Sequence, residues 1–97
     1  MLNGKQKRFL RALGTGIDPV VQIGKGGIGD NTITQIDEVL EARELIKIKI
    51  LANSGYEVKQ AAKEILNLVD ADLVQIIGKN ILLYRQFKEK PKIELPE

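Results

Sequence analysis

Glycine is densest in this sequence where reactive side chains are scarce. In IGKGGIG, residues 23–29, glycine takes four of the six positions from 24 to 29, after the apolar run PVVQI and before DNT. A loop this bare lets another backbone or a phosphate approach main-chain N–H groups, and Lys25 adds a full positive charge there. Gly24, Gly26 and Gly29 satisfy G-x-G-x-x-G, the fingerprint of a dinucleotide loop. Gly24-Lys25-Gly26-Gly27 satisfies G-x-x-G, a loop that clamps a nucleic-acid backbone. A third reading is a tight strand-to-helix turn that holds nothing.

The remaining inventory offers little to a catalyst. The 97 residues include no Cys and no His, which removes thiolate chemistry, imidazole acid–base catalysis and the commonest zinc ligands. Ser54, the one serine, has no histidine base to activate it. Asp37 with Glu38, and Asp70 with Asp72, are carboxylate pairs at positions that read as solvated helix surface or helix end. No enzyme activity, cofactor or small-molecule substrate is therefore expected.

Composition points to one soluble globular domain, with 43% apolar and 29% charged residues. MLNGKQKR lacks the apolar centre of a signal peptide, and no run approaches the roughly 18 apolar residues of a membrane span. A cytoplasmic protein without membrane contact is the expectation. The net charge is only +2, yet residues 1–29 hold five basic side chains against one acid, while residues 30–97 hold ten against twelve. The positive charge gathers at one end of the chain.

Periodicity supplies the elements that must position the loop. Residues 4–13 read as a helix with Leu2, Gln6, Phe9, Leu10 and Leu13 on one side, and Lys7, Arg8 and Arg11 opposite with Lys5 at the flank. Residues 19–23 read as a short strand leading into the glycine loop. Residues 31–43 form a second helix with Ile33, Ile36, Val39 and Leu40 inward, capped by Asp30 or Asn31. LIKIKIL, residues 45–51, alternates so that Ile46, Ile48 and Ile50 share one face and Lys47 and Lys49 the other. Val58, Ala61, Ala62, Ile65, Leu66 and Val69 mark a third helix. DLVQIIGKNILLYR reads as a hairpin turning at Gly78-Lys79-Asn80. The order is α-β-α-β-α-β-β. Two β-α-β connections imply parallel pairings and the last hairpin an antiparallel one, giving an α/β (α+β) domain on a four-stranded mixed sheet. Residues 1–86 form that domain, and residues 87–97, a charged tail with two prolines, are expected to be flexible.

These elements count against a dinucleotide. That fold needs more strands than 97 residues hold, and its central parallel strands are apolar on both faces, where this chain has Lys47 and Lys49. The ribose-binding acid should close the second strand, which ends Leu51-Ala52-Asn53; Glu44 lies at its other end. A nucleic-acid backbone suits the loop better, with Lys25 at its centre and Lys5, Lys7, Arg8, Arg11, Lys47, Lys49 and Lys79 extending the charge. Asp30 opposes it, since its carboxylate competes for the same helix N–H groups.

In combination, Gln6-Lys7-Arg8, Leu10-Arg11, residues 19–27 (PVVQIGKGG), residues 44–49 (ELIKIK), Ile77-Gly78-Lys79 and Leu83-Tyr84-Arg85 resemble the CRM domain, in particular its stand-alone bacterial YhbY-like members. The likeness covers roughly residues 2–86. It implies a fold similar to the C-terminal domain of translation initiation factor three, with the G-x-x-G loop, here Gly24, Lys25, Gly26 and Gly27, binding RNA beside the basic helix face of Lys7, Arg8 and Arg11. Plant organelle members of the family act in group II intron splicing; the bacterial single-domain form associates with precursors of the large ribosomal subunit. The sequence departs from the family's usual pattern at Gly14-Thr15-Gly16 and at Ile28-Gly29-Asp30.

With Phe9 on the apolar side of its helix, too few of the four aromatics remain for a base-stacking sheet, so recognition is expected to rest on the backbone and shape of structured RNA. The protein is expected to act as a monomer. The alternative is a protein-interaction module, docking a basic ribosomal or assembly-factor protein on Asp37, Glu38 and Glu41.

Overall fold

A computed structural model describes residues 2–97. Three α-helices and four strands follow in the expected order: α1 (Gly4–Gly14), β1 (Val21–Ile23), α2 (Asp30–Arg43), β2 (Leu45–Ile50), α3 (Val58–Leu68), β3 (Asp72–Ile77) and β4 (Asn80–Tyr84). The strands form one mixed sheet in the order β1-β2-β4-β3. β1 runs parallel to β2, and β4 is antiparallel to both β2 and β3.

This order corrects one expectation. Only the first β-α-β connection makes a hydrogen-bonded parallel pair. The crossover through α3 lands β3 one strand position further out, and β4 folds back into the gap, where it bonds to both neighbours. Gly78, at φ +58, and Lys79 make the hairpin turn. A register shift at Leu73/Gln75 places an extra residue in β3.

The alternation of β2 divides the molecule into three layers. Ile46, Ile48 and Ile50 join Val21, Ile23, Ile81 and Leu83 on one sheet face, where Ile36 and Leu40 of α2 and Ala61, Ala62 and Ile65 of α3 seal the larger core. On the opposite face Leu45, Val74, Leu82 and Tyr84 pack under Leu10 of α1. Burying such aliphatic side chains stabilises the fold by about 1.5–3 kcal/mol each before conformational entropy is counted.

α1 is turned from the orientation its apolar residues suggest. Leu10 is fully buried and Gly14 is buried, whereas Phe9 and Leu13 are 38% and 40% exposed. Gly14 sets this rotation, since a Cβ there would lie 2.5 Å from Leu82 Cδ2. Asn3 caps α1 in a reciprocal capping box with Gln6. Residues 87–97 hold no regular structure, yet Ile93 and Leu95 pack on the α1 core and Pro96 accepts a hydrogen bond from Gln6 Nε2 at 3.1 Å.

Candidate nucleic-acid interface

β1 ends where Ile23 accepts the N–H of Leu51 at 2.8 Å, and the chain then turns on itself with Gly27 N–H donating to Gly24 O at 3.0 Å. The four residues therefore form a β-turn with Lys25 and Gly26 at its exposed tip. The outer glycines have reasons inside the fold. A Cβ on Gly24 would press Leu51 Cδ1 at 3.3 Å, and Gly27 has φ +71 with the Tyr56 ring 3.5 Å from where a Cβ would stand. Gly26 differs: its φ is not positive, and a Cβ would meet nothing within 4 Å. Folding does not require glycine at 26. A chain approaching from outside would.

Tyr56 contributes to the loop without having been singled out for it from the sequence. It follows Gly55, which has φ +81, its N–H is held by Ser54 Oγ at 3.1 Å, and its half-buried ring supports Gly27. The available signal was an aromatic residue directly after the Asn53-Ser54-Gly55 turn.

Gly29, not Asp30 or Asn31, caps α2, and it makes no side-chain hydrogen bond. A capping side chain would have filled the space above the first turn; Gly29 leaves it open, with nothing within 4 Å of a Cβ. Asp30 occupies the first helical position. Its charge favours the helix but opposes an anion at that end, so Lys25 and the main chain at Gly26 are better placed for a phosphate than the helix terminus.

The predicted basic residues fall into two groups. Lys79 joins Lys25 at one end of the sheet: Lys79 O accepts the N–H of Ile50 at 2.8 Å, and Ile50 is the register partner of Ile23. Lys49, exposed, and Lys47, half-buried, lie on the α1 side of the sheet. The α1 cations are elsewhere. Arg11 Nε reaches Val74 O at 3.5 Å, on the edge strand opposite β1. Three strand spacings, about 14 Å, separate those edges. Lys7 is half-buried beside Leu10 rather than opposite it, and Arg8 and Lys5 are exposed on the half of α1 leading away from Gly14. The loop and the helix are thus two ends of a band, with Lys47 and Lys49 between them.

Asp37, Glu38 and Glu41 belong to α2, on the other side of the sheet. Arg85 Nη1 pairs with Asp37 at 2.7 Å and Nη2 with Glu41 at 3.1 Å, while Arg85 also donates to the main-chain oxygens of Asp37 and Asp70. Of the acids proposed to receive a basic protein, two are already engaged within the fold. Among the described residues, no group of His, Cys, Asp and Glu could hold a metal ion, and no helix is long and apolar enough to cross a membrane.

Comparison with known proteins gives the family. The chain is 49% identical over 96 residues to the "Probable RNA-binding protein YqeI" of Bacillus subtilis, covering 99% of this chain and 100% of that protein. It is 38% identical to an "RNA-binding protein" of Haemophilus influenzae, across 98% and 95% of the two chains. A solution structure from Staphylococcus aureus, described as a candidate RNA-binding protein, superposes with a TM-score of 0.78 at 48% identity, covering 99% of this chain and 100% of that one. Residues 2–85 match the CRS1 / YhbY (CRM) domain, and the chain belongs to that family.

Proposed function

We propose that this domain binds structured RNA, seating the backbone on the glycine turn and along the basic band, and serves assembly of the large ribosomal subunit from its precursor. The observation that carries this reading is Gly26: an exposed residue whose missing side chain the fold does not need, next to Lys25. Gly24, Lys25, Gly26 and Gly27 hold one stretch of phosphates with Lys79 and Lys49 beside them. Lys47, then Arg11, Lys7, Arg8 and Lys5, hold another. The names of the relatives support RNA as the partner. The family resemblance points to large-subunit ribosomal RNA, with the protein acting as a cytoplasmic monomer and without catalysis.

If about five cations neutralise phosphates, log affinity falls against log salt with a slope of roughly −4. The test is binding to large-subunit ribosomal RNA fragments across a salt series, comparing the native chain with Lys25→Glu plus Arg8→Glu after a check that the variant is folded. The expected result is a loss of affinity of at least about tenfold and a slope shallower by roughly 2. Unchanged affinity and slope would leave the glycines as a turn only.

A further inference from the structure

α1 covers only part of its sheet face. It ends at Gly14 against Leu82, and beyond that point the strand registers lay out an uncovered row: Gln22 of β1 opposite Lys49 of β2, Lys49 opposite Asn80 of β4, and Asn80 opposite Ile77 of β3. Gln22, Lys49 and Ile77 are exposed, Ile77 by 56%. Behind them Lys47, Leu82 and Gln75 make a second row, in which Leu82 is buried and the other two are half-buried. Between the end of α1 and the β3–β4 turn, Lys47, Gln75, Ile77, Asn80 and Leu82 line a hollow of about 470 Å³, within the range of small-ligand sites, and Gln22 and Lys49 continue the row outside it toward β1.

The chemistry of the rows is specific. A phosphate needs only donors and positive charge, and Lys47 and Lys49 provide both. Gln22, Gln75 and Asn80 add three primary amides, each with a donor and an acceptor on one plane, which is the pattern that matches nucleobase edges. Asn80 is half-buried, and its Oδ1 is a buried acceptor with no hydrogen-bond partner inside the fold. Leu82 and Ile77 supply apolar contact for the face of a base, and neither row contains an acid. Gln22 is two residues before Gly24, so a backbone seated on the glycine turn lies at the entrance to the row.

We propose that this uncovered sheet face reads unpaired RNA bases, through the amides of Gln22, Gln75 and Asn80 over an apolar floor of Leu82 and Ile77. The proposal rests on the RNA-binding reading above and adds base selection to it. The row crosses four strands, about 14 Å, enough for two or three bases. The bases must be unpaired, because the deep, narrow major groove of an A-form duplex hides their edges from side chains.

The experiment uses the full chain and RNA hairpins of equal length and charge, either fully paired or carrying a three-nucleotide bulge of U, A, C or G. The native protein is expected to prefer one bulge over the others and over the paired stem by about tenfold. Gln22→Ala plus Gln75→Ala should erase that preference while leaving the salt slope and paired-stem affinity unchanged. Gln22→Ala alone, at an exposed edge-strand position, should reduce the preference and covers the case in which the double variant does not fold. Lys25→Glu should weaken all the RNAs alike. The proposal is overturned if the native protein binds every hairpin equally, as it would if the face docks a protein, or if the amide variants keep the preference. Absence of any RNA binding by the native chain would instead remove the RNA-binding reading, and base selection with it.

Discussion

Glu44 holds Ile93: its Oε1 accepts the Ile93 N–H at 3.0 Å, and the same carboxyl group also accepts the N–H groups of Lys92 and Phe87 at 2.6 and 3.1 Å. Glu44 is fully buried, and it ends α2 at φ 65, ψ −52, a rarely populated, strained conformation for a residue with a side chain. The tail makes good on that strain by satisfying the buried acceptor, and the acceptor fixes a segment that has no regular structure of its own. Glu44→Ala is therefore expected to cost about 2 kcal/mol and to free the Phe87, Lys92 and Ile93 amides. Hydrogen exchange reads this directly: those three amides should lose protection while β4 keeps its own. Equal protection in native and variant proteins would show that the tail is held by Ile93 and Leu95 packing alone.

Tyr84 presents the opposite case, a buried polar atom without a partner. Its hydroxyl has no hydrogen bond, and burial first, then the charges of Glu44 and Asp72, raise its pKa above the ordinary 10.0. An unfolded chain releases that proton near 10.0 while the folded one still holds it. Stability from Tyr84 is thus complete below that pH and falls as pH rises through the folded value. Tyr84→Phe should remove this alkaline loss and, by deleting an unsatisfied hydroxyl, stabilise the neutral-pH fold by about 1 kcal/mol. Denaturant titrations of both proteins at neutral pH and above pH 10 test it; parallel curves for the two would contradict the assignment.

How far the sequence announced this structure can be seen residue by residue. LIKIKI was legible because a period of two admits one face assignment, and the structure buries Ile46, Ile48 and Ile50 accordingly. The slot taken by β4 was not, because a hairpin and a crossover each satisfy their own local rule without saying which strand ends in the middle. Glu44 read only as an acid at the start of the second strand, and its burial was not legible, since its partners lie more than forty residues away. In the candidate site, the tight turn at residues 24–27 was legible from its glycines. The distance between that loop and Arg11 was not: nearness in sequence suggested one patch, and strand order puts them at opposite edges.

Gly14, which the sequence marks as a departure from the family pattern, makes a contact that gives a sign prediction. Replacing glycine by alanine in a helix usually stabilises by up to about 1 kcal/mol. Here the new Cβ would stand 2.5 Å from Leu82 Cδ2 and 3.0 Å from its Cδ1, so the buried Leu82 side chain would have to leave its packing under α1. Gly14→Ala should instead destabilise by about 1 kcal/mol or more through overpacking. A urea midpoint shifted downward is the expected result, and an upward shift would mean that α1 lifts from the sheet without cost.

Gly26 and Gly27 are adjacent, and the fold treats them differently. Gly27→Ala puts a side chain at φ +71 against Tyr56 and should cost about 1 kcal/mol. Gly26→Val puts one into open space at an exposed position with ordinary φ, and should leave the melting temperature within about 2 °C. If RNA comes close to the main chain at this point, the ranking reverses for binding: Gly26→Val should weaken RNA by about tenfold through steric exclusion, without changing the salt slope, because no charge is lost. The slope separates this effect from that of Lys25→Glu, which lowers affinity and slope together. A Gly26→Val protein that binds RNA as tightly as the native chain would remove the close-approach argument and leave Lys25 acting by charge alone.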